Sequence, residues 1–158
     1  MTAILGVDPG LSGAIALLDV DTGDLVGLWD MPAADGHVLG PNLGNIIRQF
    51  CVAVAWIEDV HSMPRDGVAS AHRFGRAIGV VEGVLGDQSI SIRRVTPAAW
   101  KKAAGIRTGA DKEASRRRAI ELWPAHADAF ARKKDHGRAE AALVARHGWL
   151  ELNRKETS

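Results

Sequence analysis

The stretch Ala3-Ile4-Leu5-Gly6-Val7-Asp8-Pro9-Gly10 decides how this chain is read. Its apolar run ends abruptly on a carboxylate, and Pro-Gly follows at once. The run predicts a buried strand. Pro presets φ and Gly tolerates unusual backbone angles, so a turn comes next. A second apolar run, Ser12 to Val20, follows the turn. Asp21-Thr22-Gly23-Asp24 then has the composition of a hairpin turn, and Leu25 to Met31 reads as a third strand. Three strands joined by short turns predict an antiparallel meander.

Outward from this start the pattern changes. Residues 32–41 read as a loop, and a short helix is expected near Asn42–Phe50. Val52 to Glu58 is a nearly continuous apolar run, which predicts a central strand buried on both faces. A loop from Val60 to Ala69 leads into a helix over Ser70–Leu85, and Ser89 to Val95 reads as a further strand. Thr96-Pro97 is a helix start, with Thr at the N-cap and Pro at the first helical position. Helices are expected at 97–103, 111–123 and 136–148. The order predicts an α/β domain. Its mixed five-stranded sheet has three antiparallel strands, then parallel strands added through helical crossovers. Residues 1–152 form one domain in this reading, and 153–158 a polar, frayed tail.

Composition fits that picture. With 158 residues, 46% hydrophobic and 25% charged, the chain is expected to be one globular domain. No apolar run approaches the roughly 18 residues needed to cross a bilayer. One cysteine, Cys51, can form neither an internal disulfide nor a Cys-based zinc site, and no leader-like segment precedes the first strand. A reducing cytoplasm is the expectation. The net charge of +1 conceals a split. Residues 1–88 carry 4 Lys/Arg and 11 Asp/Glu; residues 89–158 carry 16 and 8. Such a split suits an acidic centre beside a basic rim, as in a metal-dependent enzyme acting on a polyanion. It equally suits a helical half with a solvated basic surface.

Three acids stand where apolar segments end or run. Asp8 closes the first strand, Glu58 closes the later one, and Glu140 lies in Ala139-Glu140-Ala141-Ala142-Leu143-Val144-Ala145. An ionised carboxylate near a core costs several kcal/mol unless it is paired, hydrogen-bonded or bound to a metal. If the strands bearing Asp8 and Glu58 are neighbours, their side chains converge at one sheet edge, and Glu140 approaches from a covering helix. Hard oxygen ligands suit Mg²⁺ or Mn²⁺. Two such ions about 3.5–4 Å apart would activate a water and stabilise the leaving oxygen in phosphodiester hydrolysis. Asp135 and His136 are candidates for a fourth ligand. His136 shares a helix face with Glu140 at i−4, whereas Asp135 is equally suited to cap that helix.

Several ordered segments resemble the RuvC-type Holliday-junction resolvases, especially phage and prophage members. They are Gly6-Val7-Asp8-Pro9-Gly10-Leu11-Ser12-Gly13, Trp56-Ile57-Glu58 and Phe74-Gly75-Arg76 with Gly79 and Gly83. Val95-Thr96-Pro97-Ala98-Ala99-Trp100-Lys101-Lys102 with Asp111-Lys112-Glu113, and Lys133-Lys134-Asp135-His136-Gly137-Arg138-Ala139-Glu140-Ala141, complete the set. The resemblance spans nearly the whole chain. It implies a ribonuclease-H-like fold, a homodimer and Mg²⁺-dependent nicking of branched DNA such as the four-way junction. It also implies Asp8, Glu58 and Glu140 as metal ligands, with Asp135 or His136 completing the catalytic set. Lys101 and Lys112 would contact phosphates near the cut, with Lys102, Arg107 and Arg76 as further DNA contacts. The usual bacterial pattern ends in two acids, or a His and an acid, three residues apart. Here position 137 is Gly.

Other basic residues, including Arg93, Arg94, Arg116, Arg117, Arg118, Arg132, Lys133, Lys134 and Arg138, offer phosphate contacts or a solvated surface. Gly75, Gly79 and Gly83 form a smooth stripe at every fourth residue. It packs on the sheet or, as the resemblance implies, on a second subunit. Trp100, Trp123 and Trp149 read as core anchors. Phe74 reads as core and Met63 as loop surface; either could instead wedge into an opened junction. The competing functions are an RNA–DNA hybrid nuclease of the same fold and a catalytically silent DNA-binding module. An actin- or sugar-kinase-like ATPase also opens with Asp-x-Gly, but it needs two such domains.

Overall fold

The computed structural model describes residues 1–61 and 65–156. Met63 lies outside the described residues. A five-stranded sheet forms the centre. Its strands are β1 (Thr2–Asp8), β2 (Ala14–Asp19), β3 (Leu25–Asp30), β6 (Cys51–Glu58) and β7 (Ile92–Val95), in the order β3-β2-β1-β6-β7. β1, β2 and β3 pair antiparallel, while β6 runs parallel to β1 and β7 parallel to β6. The expected meander and parallel additions are therefore present.

Two helical layers cover the sheet. α1 (Gly40–Ile47) and α2 (Val68–Asp87) lie on one face; α3 (Pro97–Ala103), α4 (Ala114–Leu122) and α5 (His136–Glu156) lie on the other. Side-chain parity assigns the faces, because successive strand residues point to opposite sides. Ala3, Leu5 and Val7 pack with Leu43, Ile47, Ala77, Val81 and Leu85. Ile4, Val54 and Trp56 pack with Trp100, Phe130 and the alanine-rich face of α5. At roughly 25 cal/mol per Å² of apolar surface, these two burials are the main stabilising term.

Several local expectations are corrected. β1, not β6, is the central strand. β7 pairs only with Ala55 to Glu58, so among the described residues the first half of β6 has no strand neighbour on that side, and Cys51 and Ala53 stay exposed. β7 itself is shorter than expected, because Ser89 takes a positive φ of 56° in the turn before it. The 32–41 loop contains a small ribbon, β4 (Ala33–Ala34) paired with β5 (His37–Val38). Asp35 and Gly36, with φ of 51° and 75°, make its two-residue turn. Two 3₁₀ turns, Pro124–Phe130 and Lys133–Asp135, precede α5. α5 runs on past residue 148 because Trp149 and Leu152 continue its apolar face onto the core.

The aromatic anchors behave as read. Trp100 is fully buried, and the Trp123 and Trp149 indoles donate to Gly23 O and Val20 O. Phe74 is half-buried on α2 and belongs to neither apolar cluster. The glycine stripe is corrected too. Among the described residues, a Cβ at Gly75, Gly79 or Gly83 would meet nothing within 4 Å, so the stripe does not pack on its own sheet.

Candidate metal centre and the basic groove beside it

The parity that buries Ile4 and Trp56 under α5 also turns Asp8 and Glu58 to that side, four and two residues on. Val7 is registered with Ile57 on the adjacent parallel strand, so the two acids leave neighbouring strand ends together. α5 brings the third. Its backbone crosses β1 at Gly6, where an added Cβ would stand 2.2 Å from Ala141 O. Only glycine permits that approach, and it sets Glu140 over the end of β1. One carboxylate oxygen from each of Asp8, Glu58 and Glu140 then lies within 4.8 Å of the others.

The electrostatics of this arrangement are unfavourable without a cation. Burial, with the charges of Glu140 and Glu58, pushes the Asp8 carboxyl up to about 8, against a backbone hydrogen bond from Gly10 that lowers it. Burial also raises Glu58, opposed by the Trp100 hydrogen bond and the Lys101 charge. Glu140 is raised by burial and by Glu58, and held down in part by His136, Lys101 and Lys112. Among the described residues, no Lys or Arg pairs directly with any of the three. Three converging, all-oxygen, mutually repelling donors suit a hard divalent cation.

The other two candidate ligands are not members of the three-acid group. Asp135 is buried, yet its carboxylate is taken up by Arg132. Its Oδ2 accepts from the Arg132 backbone N–H at 2.9 Å and from Nε at 3.1 Å, and Oδ1 accepts from the terminal nitrogen at 2.9 Å. Burial would raise this carboxyl, but those bonds and the Arg132 and Arg138 charges hold it below the usual range. Asp135 therefore closes the turn that leads into α5. His136 is exposed and lines a groove with Glu140, outside the three-acid group. Position 137 cannot supply a ligand: a Cβ there would lie 2.7 Å from Ser12 O and 3.3 Å from Asp8 Oδ2. α5 packs too closely on the turn between β1 and β2 for any side chain at that point.

The groove has a volume of about 870 Å³ and lies between α3 and the 105–112 segment. Lys101, Lys102, Arg107 and Lys112 line it, together with Glu140 and His136. Gly105 and Gly109 take positive φ values of 76° and 78° in its wall. Among the described residues these four cations pair with no carboxylate, whereas most arginines of the basic half are engaged within the fold. Arg116 donates to Phe130 O and Ala131 O, Arg117 pairs with Asp111, Arg118 with Glu121, and Arg138 binds Asp30 through two bonds of 2.7 and 2.9 Å. Those arginines brace the fold. Arg76 is exposed on α2 and does not line the groove. Lys112 stands in a turn before α4, where Asp111 Oδ1 accepts the Glu113 N–H at 3.0 Å.

No known family model matches the sequence, and no curated protein matches it. Solved structures do. RuvC of Thermus thermophilus in complex with Holliday junction substrate superposes with a TM-score of 0.72 at 13% identity, covering 97% of this chain and 96% of that one. The yeast mitochondrial Holliday junction resolvase Ydc2 gives 0.60 at 12% identity over 97% and 82%. The fowlpox virus resolvase, complexed with Holliday junction DNA, gives 0.55 at 12% identity over 95% and 98%. The likeness takes in almost all of this chain in each case, and the mixed five-stranded sheet with its helical layers is the ribonuclease-H-like fold that it shares with these Holliday-junction resolvases.

Proposed function

We propose that this protein is a structure-selective DNA endonuclease that cuts Holliday junctions or other branched DNA by metal-dependent phosphodiester hydrolysis. The observation that carries the reading is the meeting of Asp8, Glu58 and Glu140 beside a groove lined by four unpaired cations. The fold shared with three solved resolvases supports it.

In this reading each residue takes a role that the geometry supports. Asp8, Glu58 and Glu140 would hold the cation, Mg²⁺ or Mn²⁺, singly or as a pair. When bound, such a cation polarises a phosphoryl oxygen and lowers the pKa of a water. Lys101 and Lys112 stand near enough to Glu140 to lower its pKa, so a phosphate held by them lies beside the acids. Lys102 and Arg107 extend the same wall along a bound strand. The contacts position the backbone and carry little sequence information. Paired nicking of a two-fold-symmetric four-way junction then calls for two sites at a fixed separation. A homodimer through the open glycine stripe of α2 would supply them.

The test is incubation of the protein with four-way, flapped and linear duplex DNA and with an RNA–DNA hybrid, each with and without Mg²⁺. Cleavage of the four-way or flapped DNA only with Mg²⁺ is expected. Preferred cutting of the hybrid would overturn the substrate class, and cleavage equal in EDTA would overturn the metal requirement.

A further inference from the structure

Among the described residues, one side chain donates a hydrogen bond into the acid cluster. The Trp100 indole Nε1–H reaches Glu58 Oε1 at 2.9 Å, and both groups are buried. A carboxylate on a three-torsion side chain, facing two others, is driven by repulsion to rotate away. The indole opposes that rotation. It occupies one oxygen, and among the described residues Glu58 Oε2 has no side-chain donor. Indole is also a donor with no acceptor, so it cannot itself ligate a cation, as a His, Ser or Asn at this place could.

The donor is held rigidly. Trp100 lies fully buried in the core, in the middle of α3. The first turn of α3 is capped by Thr96 Oγ1, which accepts the Ala99 N–H at 3.3 Å. At its other end, Ala104 O accepts from Arg118 Nε at 2.8 Å and Ala103 O from an Arg146 terminal nitrogen at 3.2 Å. Lys101 Nζ lies 5.4 Å from the centre of the Trp100 ring, so the residue that aims at Glu58 also neighbours the basic groove.

We infer that Trp100 is a positioning residue: its indole N–H fixes the Glu58 carboxylate in the orientation that receives the divalent cation. This rests on the reading of Asp8, Glu58 and Glu140 as a metal site. Partners that orient a metal ligand typically contribute about 10–100-fold in metal affinity or activity.

The experiment is calorimetric titration of Mn²⁺ into the full chain, the Trp100→Phe variant and the Asp8→Asn variant, with junction binding measured separately in EDTA. Trp100→Phe should bind Mn²⁺ about tenfold or more weakly, with junction affinity in EDTA within about twofold of the parent. Asp8→Asn sets the scale for loss of a true ligand. If the parent binds Mn²⁺ and Trp100→Phe binds it equally well, the positioning role is overturned and the metal site stands. Absence of Mn²⁺ binding in the parent would overturn both. Where Trp100→Phe does not fold, 3-benzothienylalanine at position 100 keeps the bicyclic shape and removes only the donor, and the same outcomes decide.

Discussion

Asp8 carries the largest electrostatic burden in the molecule. Burial and two neighbouring carboxylates favour its protonated form up to about pH 8. The unfolded chain releases that proton near the ordinary carboxylate pKa. Between those limits the folded state holds more protons than the unfolded state, so the stability of the metal-free protein falls as pH rises. Melting in EDTA should therefore drop between pH 5 and pH 8, and Asp8→Asn should flatten the drop. A cation reverses the penalty, so Mn²⁺ should raise the melting temperature more at pH 8 than at pH 6. Equal shifts at both pH values would contradict the assignment. Asp135 has the opposite sign, because Arg132 holds its carboxyl down. Its contribution is present above the usual carboxylate range and is lost as pH falls through the depressed value. Asp135→Asn should cost about 1–2 kcal/mol, discounted for the exposed Arg132 partner, and leave Mn²⁺ affinity unchanged. A lost Mn²⁺ site in a folded Asp135→Asn protein would make it a ligand after all.

The elements place the acids through backbone contact as much as through side-chain packing. Gly6 and Gly137 let α5 lie directly on β1 and on the turn after it. Restoring an acid at position 137 should not add a ligand. Gly137→Asp should instead lower stability by about 1–3 kcal/mol, as overpacking does, measured by denaturant unfolding. The five sheet strands, their antiparallel-then-parallel pattern and the three acids were legible in the sequence because apolar runs, turn residues and misplaced carboxylates each carry a local signal; that β6 lies beside β1 entered only as a condition. The Asp35-Gly36 turn carried one as well, but its two-residue strands are too short to show a period. What stayed illegible depends on distance. Nothing in Asp135 itself says that Arg132 takes its charge, and nothing in Trp100 distinguishes a core indole from one bonded to Glu58. The direction faced by the α2 glycines was open for the same reason. A Cβ at Gly79 meets nothing among the described residues, so Gly79→Arg should leave the protomer folded. If α2 is the dimer contact, sedimentation should then report a monomer where the parent is a dimer.

At the scale of the whole molecule, the split between an acidic first half and a basic second half resolves into two uses. Most arginines of the second half are spent on carbonyls and carboxylates within the fold, leaving Lys101, Lys102, Arg107 and Lys112 to face the groove. Replacing Lys102 or Arg107 by Ala should weaken junction binding similarly for all sequences and reduce the salt slope by about 1. Lys112→Ala should slow cleavage with little change in folding. Everything about the chemistry depends on the three acids sharing a divalent cation. Crystals soaked in Mn²⁺ and measured at the manganese absorption edge test this directly. An anomalous peak about 2.0–2.2 Å from one oxygen each of Asp8, Glu58 and Glu140 is the predicted result; ordered acids with no peak among them, in crystals that bind Mn²⁺ elsewhere, would contradict it.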